Sequence, residues 1–560
     1  LEGVPEERGL IVQGVVTAVR PRDKPFTPIS TVRCIGGRKW WKDGILSFPP
    51  HPSDTQPSRV DGTYRSHFGP KVHCDAIIYG NSNPTVAIAL SRINGARIQK
   101  PDSISLFGVI PDYHEFMKTA QREYIQQNMA RFLPYINYRS YFDYWDGILQ
   151  EALEHHADPH IKRALREQCF RALSDDGTSI ERLWLRKVLY KLKTNEYAKF
   201  GKIARMIGDL GVAASLQGFR LTHLLKKAMA AEPIHYRGGV IEFCPKPSPD
   251  DLVRIFAQLI NPDGRFYFVY FSDDSCYSVR DPQGVVHTYN IDISSCDSSH
   301  TEAIWEFQRA CLPDHVHDDH NVLIEQLCLP FYIQDVNNPK NKVTLQADGP
   351  LLFSGSTLTT VTNNSANTLL GFALADADAR TPEEIAIACA AVGYVVTVED
   401  CSTDYHLIQF LKHSPVHSTD GRLRALLNLG VLLRASGSCK GDLPGRGDIV
   451  VRARNFQAGL VYGMYPRVHF ALRDAMLEST GVENPDPTLL GDRYFEFTTA
   501  ATADTFHISD EEVYARYGVT DIEALHFQNT FGQLGFGMHY ADKVTAAILL
   551  QDYGLPTSFY

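Results

Sequence analysis

The sequence has no CxxC pair and no repeated cysteine spacing; its 11 cysteines are scattered over 560 residues. That excludes a disulfide framework and points to reduced thiols in a reducing compartment. No apolar run is long enough to span a bilayer: the longest, 385–396, is short and broken by Gly393. The first ten residues, LEGVPEERGL, are polar and acidic, so no signal peptide is expected. The chain opens on Leu rather than Met, so the expectation is a processed or trimmed product. Internal repeats and low-complexity tracts are lacking too, which excludes solenoids and biased linkers. Positive charge is not in surplus: 55 Lys and Arg stand against 65 Asp and Glu, a net charge of -10. This argues against non-specific coating of nucleic acid and leaves room for a local basic channel.

What is present is ordinary globular chain. Hydrophobic residues make up 44% and charged residues 21%, and the length suits three to four domains or one multi-lobed body. Residues 1–110 are rich in Pro, Gly and short β-like runs such as GLIVQGVVTAV, which suggests an extension packed on the body. The stretches GILQEALEHH, HIKRALREQCFRAL and SIERLWLRKVLYKL carry helical apolar spacing. DDLVRIFAQLI predicts an amphipathic helix. From 265 to 415 strand-like and helical runs alternate, an α/β layer. Helical patterns return after about 416, where Ser509 and Glu512 have capping-box spacing and Gly518 is a stop.

Acidic residues cluster inside that α/β layer. FYFVYFSDDSCYSV reads as a hairpin with Asp273 and Asp274 at its tip. A bare Asp-Asp doublet is usually a solvated turn. Here both flanks are apolar and aromatic, and the next strand, HTYNIDISSCDSSH, brings Asp292 and Asp297. Carboxylates in a dry site need a counter-charge, and a divalent cation supplies it. Brought together, Asp273 and Asp292 would hold two such cations for phosphoryl transfer, with Asp274 in support.

Two further blocks fit that chemistry. SGSTLTTVTNNSAN contains Ser354, Gly355, Thr359 and Asn363. Gly355 permits a turn close to a ligand, and Thr359 and Asn363, four apart, share a helix face. A capped helix start is the plainer reading. Between Arg182 and Arg205 stand eight Lys or Arg and one acid, Glu196. A solvated face is the plainer reading of its first half. Its second half, KTNEYAKFGKIARMIGD, is not helical in pattern, and its Arg205, Lys202 and Lys193, in that order, are candidates to grip phosphates. A zinc reading of HVHDDH, with His315, His317, Asp318 and His320 near Cys311 and Cys328, lacks a CxxC or HxxxH frame.

Together these blocks resemble the palm of viral RNA-dependent RNA polymerases. Asp-x4-Asp at Asp292 and Asp297 matches motif A, and Ser-Gly-x3-Thr-x3-Asn, 57 residues on, matches motif B. The 193–209 segment matches motif F; the helix at 381–391, Gly393-Tyr394 and YVVTV match motif D; FLKHSP matches motif E. Motif C, the metal hairpin, is not found after Asn363, since Glu399-Asp400 has no apolar strand leading out of it. It lies upstream at Ser272-Asp273-Asp274, with Ser where Gly is usual. The order F, C, A, B, D, E resembles the permuted polymerases of permutotetraviruses, birnaviruses and relatives among small insect RNA viruses, over residues 187–415.

The resemblance implies an α/β palm between helical fingers and thumb, a right-hand polymerase fold with permuted connectivity. Its expected bounds are 1–260 for the extension and fingers, 261–415 for the palm with a fingers insertion near 310–350, and 416–560 for the thumb. It implies RNA synthesis from NTPs with Mg²⁺ or Mn²⁺ on Asp273, Asp274 and Asp292. Asp297, Ser354, Gly355, Thr359 and Asn363 would read the ribose, and Lys193, Lys202 and Arg205 would neutralise the triphosphate. RNA template, nascent RNA and a protein primer or other replication proteins are the implied partners, in the host cytoplasm. Motif D lacks its usual Lys, for which His406 or Lys412 are candidates. A reverse transcriptase and a non-catalytic RNA-binding scaffold are the rival readings.

Overall fold

A computed structural model describes residues 32–55, 77–90, 113–136, 187–194, 204–436, 464–480, 506–534 and 538–555, with short pieces and single residues between them. The expected helices at 147–156 and 160–173 lie outside the described residues, apart from position 163.

The centre is an eight-stranded sheet. Its strands are β1 (Ile11–Val12), β2 (Val15–Val16), β3 (Ile234–Tyr236), β4 (Gly239–Phe243), β5 (Phe266–Phe271), β6 (Asp274–Arg280), β7 (Val286–Ile293) and β8 (Val396–Asp400). Their spatial order is β1-β2-β8-β7-β6-β5-β4-β3. The sheet therefore takes in strands at 11–16 and 234–243, ahead of the boundary expected at 261. Only β4 and β5 pair in parallel, and a parallel neighbour needs a crossover. Helix α2 (Pro249–Ile260) supplies it, after helix α1 (Tyr113–Phe132).

Both faces of this sheet are covered, which explains the unbroken apolar run of β5, FYFVYF. On one face Tyr267, Val269 and Cys276 pack with Leu252, Ile255, Phe256 and Leu259 of α2. On the other, Phe268, Tyr277 and Ile291 join a core shared with helix α3 (Leu358–Ala377). Helix α4 (Pro382–Ala391) follows, started by Pro382 and by Thr381, whose hydroxyl accepts the Glu384 N–H. Phe372 of α3 stacks on Phe132 of α1 at 4.3 Å.

A second sheet joins Met206–Asp209, Val188–Leu192, Phe331–Gln334, Lys342–Ala347 and Val32–Gly36 in that order. The segment expected as an insertion thus shares a sheet with early parts of the chain. It also corrects one expectation: 188–192, at the end of a run with helical spacing, is strand. Val188, Leu189, Tyr190 and Leu192 satisfy either period, and pairing with 206–209 and 331–332 decides between them.

Beyond 416 a separate core gathers Val72, Leu472, Phe527 and Ile548 from a strand and three helices. Helix Asp510–Tyr517 ends at Gly518 with φ 69, as expected. The capping box is not formed, for Ser509 makes no side-chain cap bond. Glu512 is instead drawn to His406 Nε2 at 2.5 Å, and His406 Nδ1 meets Asp404 at 2.8 Å.

Candidate active site

The site forms where β5 turns into β6. Phe271 pairs with Asp274, which leaves Ser272 and Asp273 as a two-residue turn. Ser272 has φ 54, a left-handed conformation that glycine adopts more easily. Helix α3 holds this turn. The Asn364 side-chain oxygen accepts from Ser272 N at 2.6 Å, and the Asn367 amide donates to the Ser272 carbonyl. The Ser272 hydroxyl donates to Asp273 at 2.6 Å.

The next pairing sets Ser275 against Ile291. One residue further in the same register, Asp274 stands level with Asp292. The Leu411 N–H donates to Asp274 at 3.0 Å, from a bend in which Leu411 and Lys412 have φ 49 and 64. Burial, then the charges of Asp292 and Asp273, push the Asp274 carboxyl up to about 7, against the opposing pull of the Leu411 bond and Lys412. The two expected ends of the metal set are therefore on adjacent strands, with Asp274 the residue beside Asp292 and Asp273 at the tip. Glu399 and Asp400 face Asn290 and Tyr289, while Thr397 faces Asp292. Asp400 is thus about 10 Å along the sheet from the level of Asp292.

Asp297 has a different environment. It is the second residue of a 3-10 turn, Cys296–Ser299, that follows Ser295 at φ 49. The Ser354 hydroxyl donates to one carboxylate oxygen, and Asn363 Nδ2 donates to the other at 2.8 Å. Gln121 of α1, fully buried, clamps the far side of the turn: it donates to the Ser299 carbonyl at 2.9 Å and accepts from Thr301 N at 2.6 Å. Asn363 Oδ1 in turn accepts from His300 Nε2 at 2.8 Å and Cys296 Sγ at 3.2 Å. Thr359 is not part of this group; its hydroxyl donates to the Phe353 carbonyl at 2.9 Å and closes the turn ahead of α3.

The loop 353–355 lies on the strand Met206–Asp209, with Gly208 N donating to the Ser354 carbonyl at 2.9 Å. Gly355, at φ 108, approaches so closely that a Cβ would sit 2.7 Å from the Gly208 carbonyl oxygen. This contact carries the basic segment to the acids. Arg205 senses Asp273 and Asp297 electrostatically, but its raised pKa comes first from the hydrogen bond to Glu196. The Arg205 Nε to Glu196 distance is 2.9 Å, and Lys193 Nζ lies 3.2 Å from the same carboxylate. Burial acts to raise the Glu196 carboxyl, and these two cations more than offset it and hold it low. Lys202 lies outside the described residues.

Asp274, pushed up by burial and by the charges of Asp292 and Asp273, stands with those two acids as a source of hard oxygen donors of the kind Mg²⁺ or Mn²⁺ takes. Among the described residues no three His, Cys, Asp or Glu side chains are gathered closely enough to hold an ion. The zinc reading of HVHDDH gains no support from the contacts of its histidines. His317 bonds the Leu312 carbonyl at 3.1 Å and buried His320 bonds Gln308 at 3.2 Å.

No protein-family model matches the chain, and no curated protein is similar to it in sequence. Two viral structures are similar in outline. One is the X-ray structure of the birnavirus VP1-VP3 complex, at 12% identity and a TM-score of 0.38, covering 70% of this chain and 61% of that one. The other is the RNA polymerase VP1 from Infectious Pancreatic Necrosis Virus, at 12% identity and a TM-score of 0.40, covering 89% of this chain and 69% of that one. The chain thus spans less than two thirds of the first of them.

Sequence reasoning missed Asn364, Asn367, Gln121, Leu411 and His300. The first two had a signal, since amides in the middle of an apolar helix are poor helix formers and need partners. His300 closes the quoted strand run, and nothing local marks its role. No helix among the described residues is long and apolar enough to cross a membrane.

Proposed function

We propose that this chain is a viral RNA-directed RNA polymerase with a permuted palm, joining NTPs on an RNA template. The observation that carries the reading is the sheet order. The Asp273-Asp274 hairpin has β7, with Asp292, on one side and β4 on the other, and neither neighbour follows Asn363 in the chain. Asp273, Asp274 and Asp292 lie at one end of this sheet, with the clasped Asp297 in the turn just after it, and this arrangement supports a two-metal site.

In this reading Asp274 and Asp292, with Asp273, would hold Mg²⁺ or Mn²⁺. When bound, the ions lower the pKa of the primer 3′-hydroxyl and stabilise the departing pyrophosphate. Asp297, oriented by Ser354 and Asn363, accepts the ribose 2′-hydroxyl. Arg205 and Lys193 exchange Glu196 for the triphosphate, and Arg can meet phosphate oxygens with two N–H groups at once. His406 is engaged by Asp404 and Glu512, so Lys412, whose charge reaches Asp274, is the better candidate for the missing motif D lysine. Fingers at 1–260, palm at 261–415 and thumb at 416–560 remain the working division, with the palm sheet also taking in strands at 11–16 and 234–243. The partners are RNA template, nascent strand and viral replication proteins, in the host cytoplasm.

Primer extension with NTPs or dNTPs on an RNA template tests the reading. Template-dependent extension with NTPs that vanishes in Asp292→Asn supports it. Extension with dNTPs alone identifies a reverse transcriptase. No extension under Mg²⁺ or Mn²⁺ leaves the scaffold reading.

A further inference from the structure

Behind Asp297 runs a line of hydrogen bonds that ends on two buried side chains with no place in the chemistry above. The Tyr394 hydroxyl lies 2.9 Å from His300 Nδ1, and His300 Nε2 lies 2.8 Å from Asn363 Oδ1. Asn363 Nδ2 reaches Asp297 at 2.8 Å. Tyr394 is fully buried and His300 is 5% exposed. Tyr394 sits just past Gly393, at φ 91, in the link between α4 and β8. His300 caps the turn that holds Asp297.

The polarity of this line is determined from its outer end. A carboxylate only accepts, so Asn363 must present its NH₂ to Asp297 and its oxygen to His300. The oxygen then requires a proton on His300 Nε2. Burial, against the Asn363 bond, lowers the His300 pKa to about 4, so the ring is neutral near pH 7 and carries one proton. With that proton on Nε2, Nδ1 accepts, and the Tyr394 hydroxyl donates to it. Every group has one role, and reversing any of them sets two lone pairs or two protons face to face.

We propose that Tyr394 and His300 are positioning residues that fix the orientation of the Asn363 amide, and through it the ability of Asp297 to select a ribonucleotide. This rests on the reading of Asp297 as the ribose sensor. Without the Tyr394 hydroxyl, His300 Nδ1 loses its donor and the buried ring is held less firmly. The Asn363 amide that rests on it is then less well aligned on the Asp297 carboxylate. The loss falls on substrates with a 2′-hydroxyl, since a deoxynucleotide never used that acceptor.

The test is single-nucleotide incorporation by the full chain, with ATP and dATP opposite the same template base. For Tyr394→Phe and His300→Leu, kcat/KM for ATP is expected to fall about tenfold, mostly in KM, while that for dATP changes little. His300→Gln keeps a donor close to the Nε2 position and is expected to retain most of the selectivity. Equal losses for ATP and dATP in both variants, with selectivity lost in Asp297→Ala, overturn the line and leave the ribose sensor standing. Unchanged selectivity in Asp297→Ala overturns the sensor instead. Nitrogen-15 spectra of the histidine rings, with His300 assigned by its absence in His300→Gln, judge the arrangement without any turnover. An Nε2–H tautomer supports it, and an Nδ1–H tautomer overturns it.

Discussion

Asp292 and Asp297 are five residues apart, and the chain treats them in opposite ways. Around Asp297, Ser354 and Asn363 each donate a hydrogen bond, and Gln121 clamps the far side of its turn. Its charge is answered by neutral donors, so this half of the site is complete within the protein. Around Asp292 the neighbours are themselves acids, and Asp274 is pushed up to about 7. That half is organised by backbone and amide contacts to the turn, and in the proposed reading a divalent cation would answer its charge. If Asp297 selects the sugar and Asp292 holds a cation, as proposed, the difference is the one the two tasks need: a selecting group has to be rigid before its substrate arrives, whereas a cation-holding group has to keep its affinity for a cation.

The sharpest way to break the comparison is to neutralise each half. Asp292→Asn, and separately Asp274→Asn, should lower nucleotide addition on the order of a thousandfold, with melting little changed. Single-turnover incorporation reads this, and near-normal rates would place the chemistry elsewhere. Asp273→Asn tells whether the tip acid shares the load; a smaller loss than in Asp274→Asn would make Asp274 the principal hairpin ligand.

Asp297→Ala should instead cost selectivity, lowering the NTP over dNTP ratio about a hundredfold with a smaller loss of kcat. If both kinds of nucleotide suffer equally, the two halves are not distinct. Arg205→Ala is expected to raise KM for NTP about tenfold, and Glu196→Gln to lower it, because Glu196 competes with the triphosphate for the same cations. A raised KM in Glu196→Gln would make the acid a support rather than a competitor.

The Asp274 shift gives a pH test. Its pKa is higher in the folded chain than in the unfolded one, so the folded form binds the extra proton between about 4 and 7. Its contribution is therefore most favourable at low pH and is lost as pH rises through 7. Without added metal, Asp274→Asn should melt about 2 °C above wild type at pH 8 and level with it at pH 5. Mn²⁺ should stabilise wild type more at pH 8 than at pH 6. The smallest effect is expected from Ser272→Gly, which relieves φ 54 but gives up the hydroxyl bond to Asp273. Its stability should stay within about 1 kcal/mol of wild type, with activity retained.

The hairpin, Asp-x4-Asp and the Ser354–Asn363 block were legible because each is a short pattern whose spacing reflects local geometry. The helices α2, α3 and α4 were legible from periodicity and caps. What escaped the sequence depends on contacts between distant segments. Nothing near Leu411 says that its N–H will cap Asp274, and nothing near Ser509 says that Glu512 will be taken by His406. Glu196 was visible as the one acid in a basic run, but not as the partner of both Lys193 and Arg205. The run 188–192 was misread because its apolar residues fit two periods, and its sheet partners come from far along the chain.

The separations across the site also bear on the order in which it assembles. Strands β5, β6 and β7 follow one another between 266 and 293, joined by tight connections. Asp273, Asp274 and Asp292 can therefore meet through neighbouring hairpins, the cheapest closures a chain can make. The clasp on Asp297 needs Ser354 and Asn363 to return across 57 and 66 residues. As the chain leaves the ribosome, the acids can be gathered before Ser354 and Asn363 have been synthesised. Residues 266–293 would then be an early-forming unit, and the clasp on Asp297 would be acquired last.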